Sequence, residues 1–266
     1  RRQRQMCIRD SFYRLSSGLA PWKTEYDWDD LKDIDEIKTY FHSAGTMAKT
    51  HDVRLTSHPG PFNVLVSPKE EVVENCIKDL TIHGDEFDMM GLSRTPYNKI
   101  NIHLGGAYGD KEASMKRFVK NFPRVPESVS SRLTLENDDK ASMYSVKDLY
   151  YGIYKQCGVP IVFDYHHHRF CDGGLSEKEA LEMAISTWPK GITPVVHYSE
   201  SRSKERLDES IRPQAHSDYV YDYIDSYGND VDIMIEAKHK ELAIDKYKSI
   251  HLVDNSSNLP SPRAYL

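Results

Sequence analysis

Six short runs of apolar residues in this chain each stop at a side chain that ligates divalent metals: Arg54-Leu-Thr-Ser-His58, Lys99-Ile-Asn-Ile-His103, Arg132-Leu-Thr-Leu-Glu136, Pro160-Ile-Val-Phe-Asp164, Pro194-Val-Val-His197 and Asp232-Ile-Met-Ile-Glu236. Their length and their content of Val, Ile and Leu read as buried strands. The run ends lie 45, 33, 28, 33 and 39 residues apart, the span of a strand, a loop, a helix and a return loop. With a further run at 12–17, the pattern predicts strands at 12–17, 53–58, 100–104, 133–136, 161–164, 195–198 and 233–236. The fold class expected is an α/β TIM-type (β/α) barrel lacking its first strand and helix, which are expected upstream of Phe12. In such a fold parallel strands aim all six end groups at one rim.

Between these runs the apolar spacing changes to helical. Trp28, Leu31, Ile34, Ile37 and Phe41 share one face. Ser67, Pro68 and Glu70 form a start signal ahead of Val72, Val73, Cys76, Ile77 and Leu80. Ser176 and Glu179 repeat it ahead of Leu181 and Ala184, while Asp110 and Ser145 are expected to cap two more helices. Residues 1–11 show no periodicity and read as a non-native extension. Residues 12–252 form one expected catalytic domain, and the polar, proline-bearing residues 253–266 a loose tail.

Composition narrows the class. At 266 residues and 39% hydrophobic content the chain can bury a large core. A formal net charge of −6 gives no basic field of the kind that announces a nucleic-acid binder. Three bound divalent cations would nevertheless add about six positive charges where a phosphate would sit. The four cysteines have neither disulfide nor zinc-finger spacing, and no apolar run approaches the roughly 18 residues of a bilayer helix. A soluble, intracellular protein is expected, in cytoplasm or nucleoid, or in a eukaryotic nucleus.

The coincidence of His58, His103, Glu136, Asp164, His197 and Glu236 with strand ends points to a multinuclear metal site. Glu136 also has a plainer reading as a salt-bridging carboxylate ahead of Asn137, Asp138 and Asp139. Flanked by other ligands, it suits a bridge between two metals. In Asp164-Tyr-His-His-His-Arg169, read as extended chain, Asp164 and His167 serve neighbouring metals, leaving His166 and His168 as supporting or surface groups. His216, within Gln-Ala-His-Ser-Asp-Tyr219, reads by itself as a loop histidine.

Taken together, several segments resemble the UV damage endonuclease family: Phe-Tyr-Arg-Leu-Ser-Ser (12–17), Ser-His-Pro-Gly-Pro-Phe-Asn-Val-Leu (57–65), Ile-His-Leu-Gly-Gly-Ala-Tyr-Gly-Asp-Lys (102–111), Leu-Glu-Asn-Asp-Asp (135–139), Phe-Asp-Tyr-His-His-His (163–168), Val-His-Tyr-Ser (196–199), His-Ser-Asp-Tyr (216–219) and Ile-Glu-Ala-Lys (235–238). The resemblance runs in order from Phe12 to about 252. It implies a barrel related to endonuclease IV that nicks damaged double-stranded DNA on the 5′ side of a photolesion, as a monomer, in nucleotide excision repair. It also implies three metals, usually described as Mn²⁺, with Zn²⁺ or Mg²⁺ as alternatives. Carried over, His58, His103 and Glu136 hold one metal; Glu136, Asp164, His197 and Glu236 the next; His167 and His216 the third.

Phosphodiester hydrolysis by metal-activated water fits this set, with Glu136 as its central catalytic residue. Lys111, Arg202 and Lys238 lie beyond the ligand motifs and are expected to meet backbone phosphates, Lys111 nearest the chemistry. Pro61 and Phe62 stand where many members have Gln and then Tyr, residues that push into the duplex. Phe62 retains a stacking ring, as does Tyr108 at the rim. Val195 stands where members often carry a modified lysine. Two other functions fit parts of the pattern: a two-metal sugar isomerase or epimerase barrel, and a truncated barrel that binds damaged DNA without cutting.

Overall fold

The computed structural model describes residues 12–251 and the strand Arg263–Tyr265. The reading of residues 1–11 as an extension, and most of the reading of 253–266, lie outside the described residues. The chain divides into two compact units, Arg1–Leu135 and Glu136–Leu266.

In the first unit β1 (Phe12–Leu15) pairs in parallel with β2 (Arg54–Ser57), Leu15 opposite Ser57, and β2 pairs in parallel with β3 (Ile100–His103). Helix α1 (Ile34–Thr50) links β1 to β2, α2 (Glu70–Met89) links β2 to β3, and α3 (Lys111–Asn121) follows β3. Leu55, Leu80, Phe87, Ile100, Ile102 and Phe118 are buried between the layers.

Three strands here share a feature at their starts. Arg54, Lys99 and Arg132, each standing immediately before the first apolar residue of its run, are at most 1% exposed. Arg54 donates from Nε to the Tyr97 carbonyl at 2.6 Å and from Nη2 to that of Pro96 at 3.1 Å. Arg132 donates to the carbonyls of Ser93 (2.9 Å), Ser128 (2.7 Å) and Leu92 (2.9 Å), and Nη2 lies 2.8 Å from Oδ1 of Asp88. The planar guanidinium fork thus satisfies loop carbonyls that burial would otherwise leave without donors. A second buried set joins the β1 loop to α2. Lys23 Nζ donates to Glu86 Oε1 at 2.7 Å, Glu86 Oε2 lies 3.3 Å from His83 Nδ1, and that nitrogen is 3.1 Å from Ser57 Oγ.

In the second unit β5 (Ile161–Asp164), β6 (Val195–Tyr198) and β7 (Asp232–Ile235) pair in parallel in that order. All three are buried along their whole length, as strands covered on both faces must be. Val162, Phe163, Val196, Ile233, Leu181 and Ile244 lie in this core. Strand β4 (Leu133–Glu136) ends at the first residue of this unit. Short helix α4 (Val146–Leu149) follows, then one helical turn, α5 (Tyr165–His168), then α6 (Glu177–Ile185) and α7 (Glu241–His251).

The capping signals hold at three helices. Asp110 Oδ1 accepts from the Ala113 N–H at 2.9 Å, Ser176 and Glu179 cap reciprocally, and Ser145 does the same with Asp148. Ser67 is displaced from its expected place. Its hydroxyl accepts from the N–H of Lys69, two residues on at 3.1 Å, and the helix starts at Glu70. A short serine turn competes here with capping of the third N–H.

The seven strands read from the apolar runs are all present, and Arg263–Tyr265 adds a further one, β8, parallel to β7 with Asp232 opposite Arg263. Pairing at a strand edge uses backbone groups alone, so Arg-Ala-Tyr needs no apolar period to join it. The run 165–168 is helical rather than extended, and His166 and His168 are 1% and 5% exposed, so neither is a surface group.

Candidate metal centre

In the first unit His103 closes β3 and His58 stands one residue beyond β2. Adjacent parallel strands carry them, and their half-buried rings lie 5.7 Å apart, tilted by 44°. Nδ1 of His58 is 3.2 Å from the Pro59 carbonyl oxygen. The turn that follows is fixed by Asn63, whose side-chain amide donates to the Gly60 carbonyl at 3.1 Å and to Asp79 at 2.8 Å. This turn leaves Pro61 exposed and displays Phe62 at 86% exposure.

After β3 the backbone turns through Gly105 at φ +99° and Tyr108 at φ +50°. A side chain on Gly106 would meet the Tyr108 ring at 3.1 Å, so the glycine permits that ring position. Tyr108 is exposed, with the Arg117 guanidinium 5.5 Å from its ring centre. Lys111 opens α3 and is half-buried.

The second unit gathers the remaining candidates. Ligand atoms of Glu136, Asp164 and His197 all lie within 4.8 Å of one another, and all three residues are buried. His197 Nδ1 is 3.0 Å from Glu136 Oε2 and 3.2 Å from Glu236 Oε1. Glu136 Oε1 is 3.3 Å from His167 Nδ1, and Glu236 Oε2 is 3.7 Å from His216 Nδ1. One carboxylate therefore faces His197 with one oxygen and His167 with the other. The rings of His167 and His216 are 6.3 Å apart.

Local structure explains how each is held. Asp164 caps α5, its Oδ1 accepting from the His167 N–H at 2.8 Å, and helical spacing then puts His167 on the Asp164 side. Nδ1 of His167 lies 2.9 Å from the Asn137 carbonyl, which only accepts. The proton is therefore on Nδ1, and Nε2 bears the lone pair a metal takes. His216 is fixed by an antiparallel bridge to Ser201, flanked by the bonds Arg202 N–H to Ala215 (2.7 Å) and Ser217 N–H to Glu200 (2.9 Å). His166 packs beside His216, ring centres 5.8 Å apart, and His168 against Phe163 at 5.3 Å.

Arg202 Nη2 lies 3.7 Å from Asp218, which also pairs with Arg206. Lys238 is exposed and anchored through its backbone N–H to Ser217 at 2.9 Å. Sequence reasoning passes over Asn137, grouping it with the acidic residues of a loop, although it is fully buried. The available signal is its place directly after a strand-ending carboxylate.

The electrostatics call for positive charge. Burial drives the Asp164 carboxyl up, His167 opposes this, Glu136 and Glu236 add to it, and the value settles at about 7. Burial pushes His216 below the usual imidazole range. It also pushes His166 down to about 4, helped by His216 and His167. Neutral imidazoles beside crowded carboxylates form a nitrogen and oxygen donor set suited to Mn²⁺, Fe²⁺ or Zn²⁺. Oδ2 of Asp164, fully buried, has no hydrogen-bond partner among the described residues. These residues fit a divalent ion.

Comparisons with known proteins find similarity in sequence and in fold. The family model described as UV-endonuclease UvdE matches residues 6–260. A UV DNA damage endonuclease of Bacillus pumilus (strain SAFR-032) is 35% identical over 244 residues, covering 87% of this chain and 72% of that protein. The crystal structure of SacUVDE is similar with a TM-score of 0.77 and 31% identity, over 91% of this chain and 81% of that one. Endonuclease IV from Thermus thermophilus is similar in fold, with a TM-score of 0.56 at 12% identity over 91% of this chain and 98% of its own. The fold class is the α/β TIM-type barrel expected from the strand spacing.

Proposed function

The chain belongs to the UV-endonuclease UvdE family, and from that premise we propose that it is a metal-dependent endonuclease hydrolysing the phosphodiester 5′ to UV photolesions in duplex DNA. It is a DNA repair nuclease, a hydrolase, by family. The observation that carries the metal dependence is the convergence of Glu136, Asp164 and His197 donors within 4.8 Å in a buried place. In this reading Glu136, Asp164, His197 and Glu236 hold one divalent ion, His167 and His216 a second, and His58 and His103 face a third. Manganese is the first candidate. A bound divalent ion supplies Lewis acidity toward a phosphate oxygen and lowers the pKa of water.

The chain's own groups do the rest. Glu136 presents one oxygen to each side of the cluster and keeps negative charge there, so cations rather than protons are favoured. His167, held through Nδ1, offers Nε2. Lys111, at the start of α3, neutralises backbone phosphate, with Arg202 and Lys238 in supporting contacts. Phe62 and Tyr108 offer exposed rings for unstacked bases, and Pro61 stiffens the turn that bears Phe62. The acting species is a monomer working inside the cell; among the described residues no helix is long and apolar enough to cross a membrane.

The test compares irradiated and unirradiated supercoiled plasmid with Mn²⁺. Nicking of irradiated DNA alone, removed by EDTA and restored by Mn²⁺, is expected. Equal nicking of both plasmids would overturn the lesion specificity, and gel-shift of irradiated duplex without a strand break would overturn the hydrolytic reading.

A further inference from the structure

Strand β4 ends at Glu136, and the next residue uses its side chain as if it were backbone. The Asn137 amide donates from Nδ2 to the carbonyl of Asp164 at 3.0 Å and accepts at Oδ1 from the N–H of Asp164 at 2.8 Å. One planar amide thus satisfies both main-chain groups of a single residue, as a paired peptide unit does in a sheet. Asp164 in turn accepts at Oδ1 from the His167 N–H at 2.8 Å. The His167 ring closes the circuit by donating from Nδ1 to the carbonyl of Asn137 at 2.9 Å.

Four hydrogen bonds therefore run around three residues, Asn137 to Asp164, Asp164 to His167, His167 to Asn137. Asn137 is also covalently joined to Glu136. Asn137 and Asp164 are fully buried and His167 is 8% exposed, so water does not compete for these bonds. Each bond removes a freedom that would move a donor atom: the backbone at Asp164, the turn at His167, and the rotation and tautomer of the His167 ring. With Oδ1 occupied, Oδ2 is the oxygen of Asp164 left to a cation. No apolar side chain of similar size can do this, and aspartate lacks the Nδ2 donor.

We propose that Asn137 is a positioning residue that pre-organises Asp164 and His167 for divalent metal by closing one hydrogen-bond circuit with them, next in the chain to Glu136. The inference rests on the reading of these residues as ligands. Groups of this kind behind metal ligands change affinity on the order of tenfold to a hundredfold.

The experiment is calorimetric titration of the metal-free full chain with MnCl₂, for wild type, Asn137→Ala, Asn137→Ser and Asp164→Asn, with melting curves with and without Mn²⁺. Asn137→Ala is expected to weaken Mn²⁺ binding at least tenfold and to shrink the rise in melting temperature that Mn²⁺ gives. Asn137→Ser, whose hydroxyl can replace only one of the two amide bonds, is expected to fall between, and it serves alone if the alanine variant does not fold. Wild-type Mn²⁺ affinity in either variant, with only the metal-free melting temperature lowered, would make Asn137 a purely structural residue and overturn the proposal. Asp164→Asn is the reference: if it too binds Mn²⁺ like wild type, the reading of Asp164 as a ligand has failed instead.

Discussion

Nδ1 of His197 lies 3.0 Å from Oε2 of Glu136, and both side chains are closed off from solvent. Glu136 cannot move away from this contact without losing its other one, to His167. Its charge is therefore shared between two imidazoles in a region where unpaired charge is expensive.

That sharing makes Glu136→Gln the most informative single change. The amide keeps the shape but removes the charge that favours cations. Incision of irradiated plasmid is expected to fall by about 100-fold or more, while the circular dichroism spectrum stays unchanged. Single-turnover nicking assays with saturating Mn²⁺ measure it.

Asp164 predicts a pH dependence of stability in the metal-free protein. Its folded value of about 7 lies above the ordinary 3.8, so the folded chain holds this proton more tightly than the unfolded one. The resulting stabilisation is complete below about pH 3.8, declines as the pH rises, and is gone above about 7. Metal-free Asp164→Asn is therefore expected to melt higher than wild type near about pH 8, with the gap closing toward about pH 4. Added Mn²⁺ should reverse the order at the higher pH. Thermal melts across that range decide it.

Phe62 is 86% exposed, so its ring contributes almost nothing to folding. Phe62→Ala should leave the melting temperature unchanged. Stacking on a base is worth about 1 to 3 kcal/mol, so binding to a lesion-bearing duplex should weaken by about tenfold. Fluorescence anisotropy with irradiated and plain duplexes measures both affinities.

Arg132 predicts the opposite pattern. It is fully buried and holds four carbonyls and Asp88. Arg132→Met fills the space but leaves those acceptors without a donor, at a cost of about 3 kcal/mol or more. A fall in melting temperature of roughly 10 °C is expected, with Mn²⁺ affinity unchanged while the protein is folded.

Much of the candidate site is legible in the sequence because it lies on strands. Runs such as Ile161–Asp164 and Val195–Tyr198 announce themselves by branched apolar residues, and the polar residue that stops a run marks the strand end. The turn at Tyr165–His168 is not legible: three histidines carry no helical preference, and the cap that starts the turn is Asp164 itself, which reads only as a ligand. Asn137 is hidden by the acidic residues after it. Lys23 and Glu86 lie 63 positions apart, and nothing local in either segment signals their pairing. The starts of β2, β3 and β4 do carry a repeated sign, a basic residue before each run, but its burial becomes evident only when the loop carbonyls are seen around it.

Arg54 opens one short strand and His58 stands one residue beyond its close, anchor at one end and donor just past the other. An extended chain places them roughly 13 Å apart, and a single inserted or deleted residue between them would flip every intervening side chain to the opposite face. The loops beyond His58 can lengthen, shorten or change composition over evolutionary time. The five positions from Arg54 to His58 can be substituted one for one but not resized, so lineages of this protein should show point replacements there and no gaps.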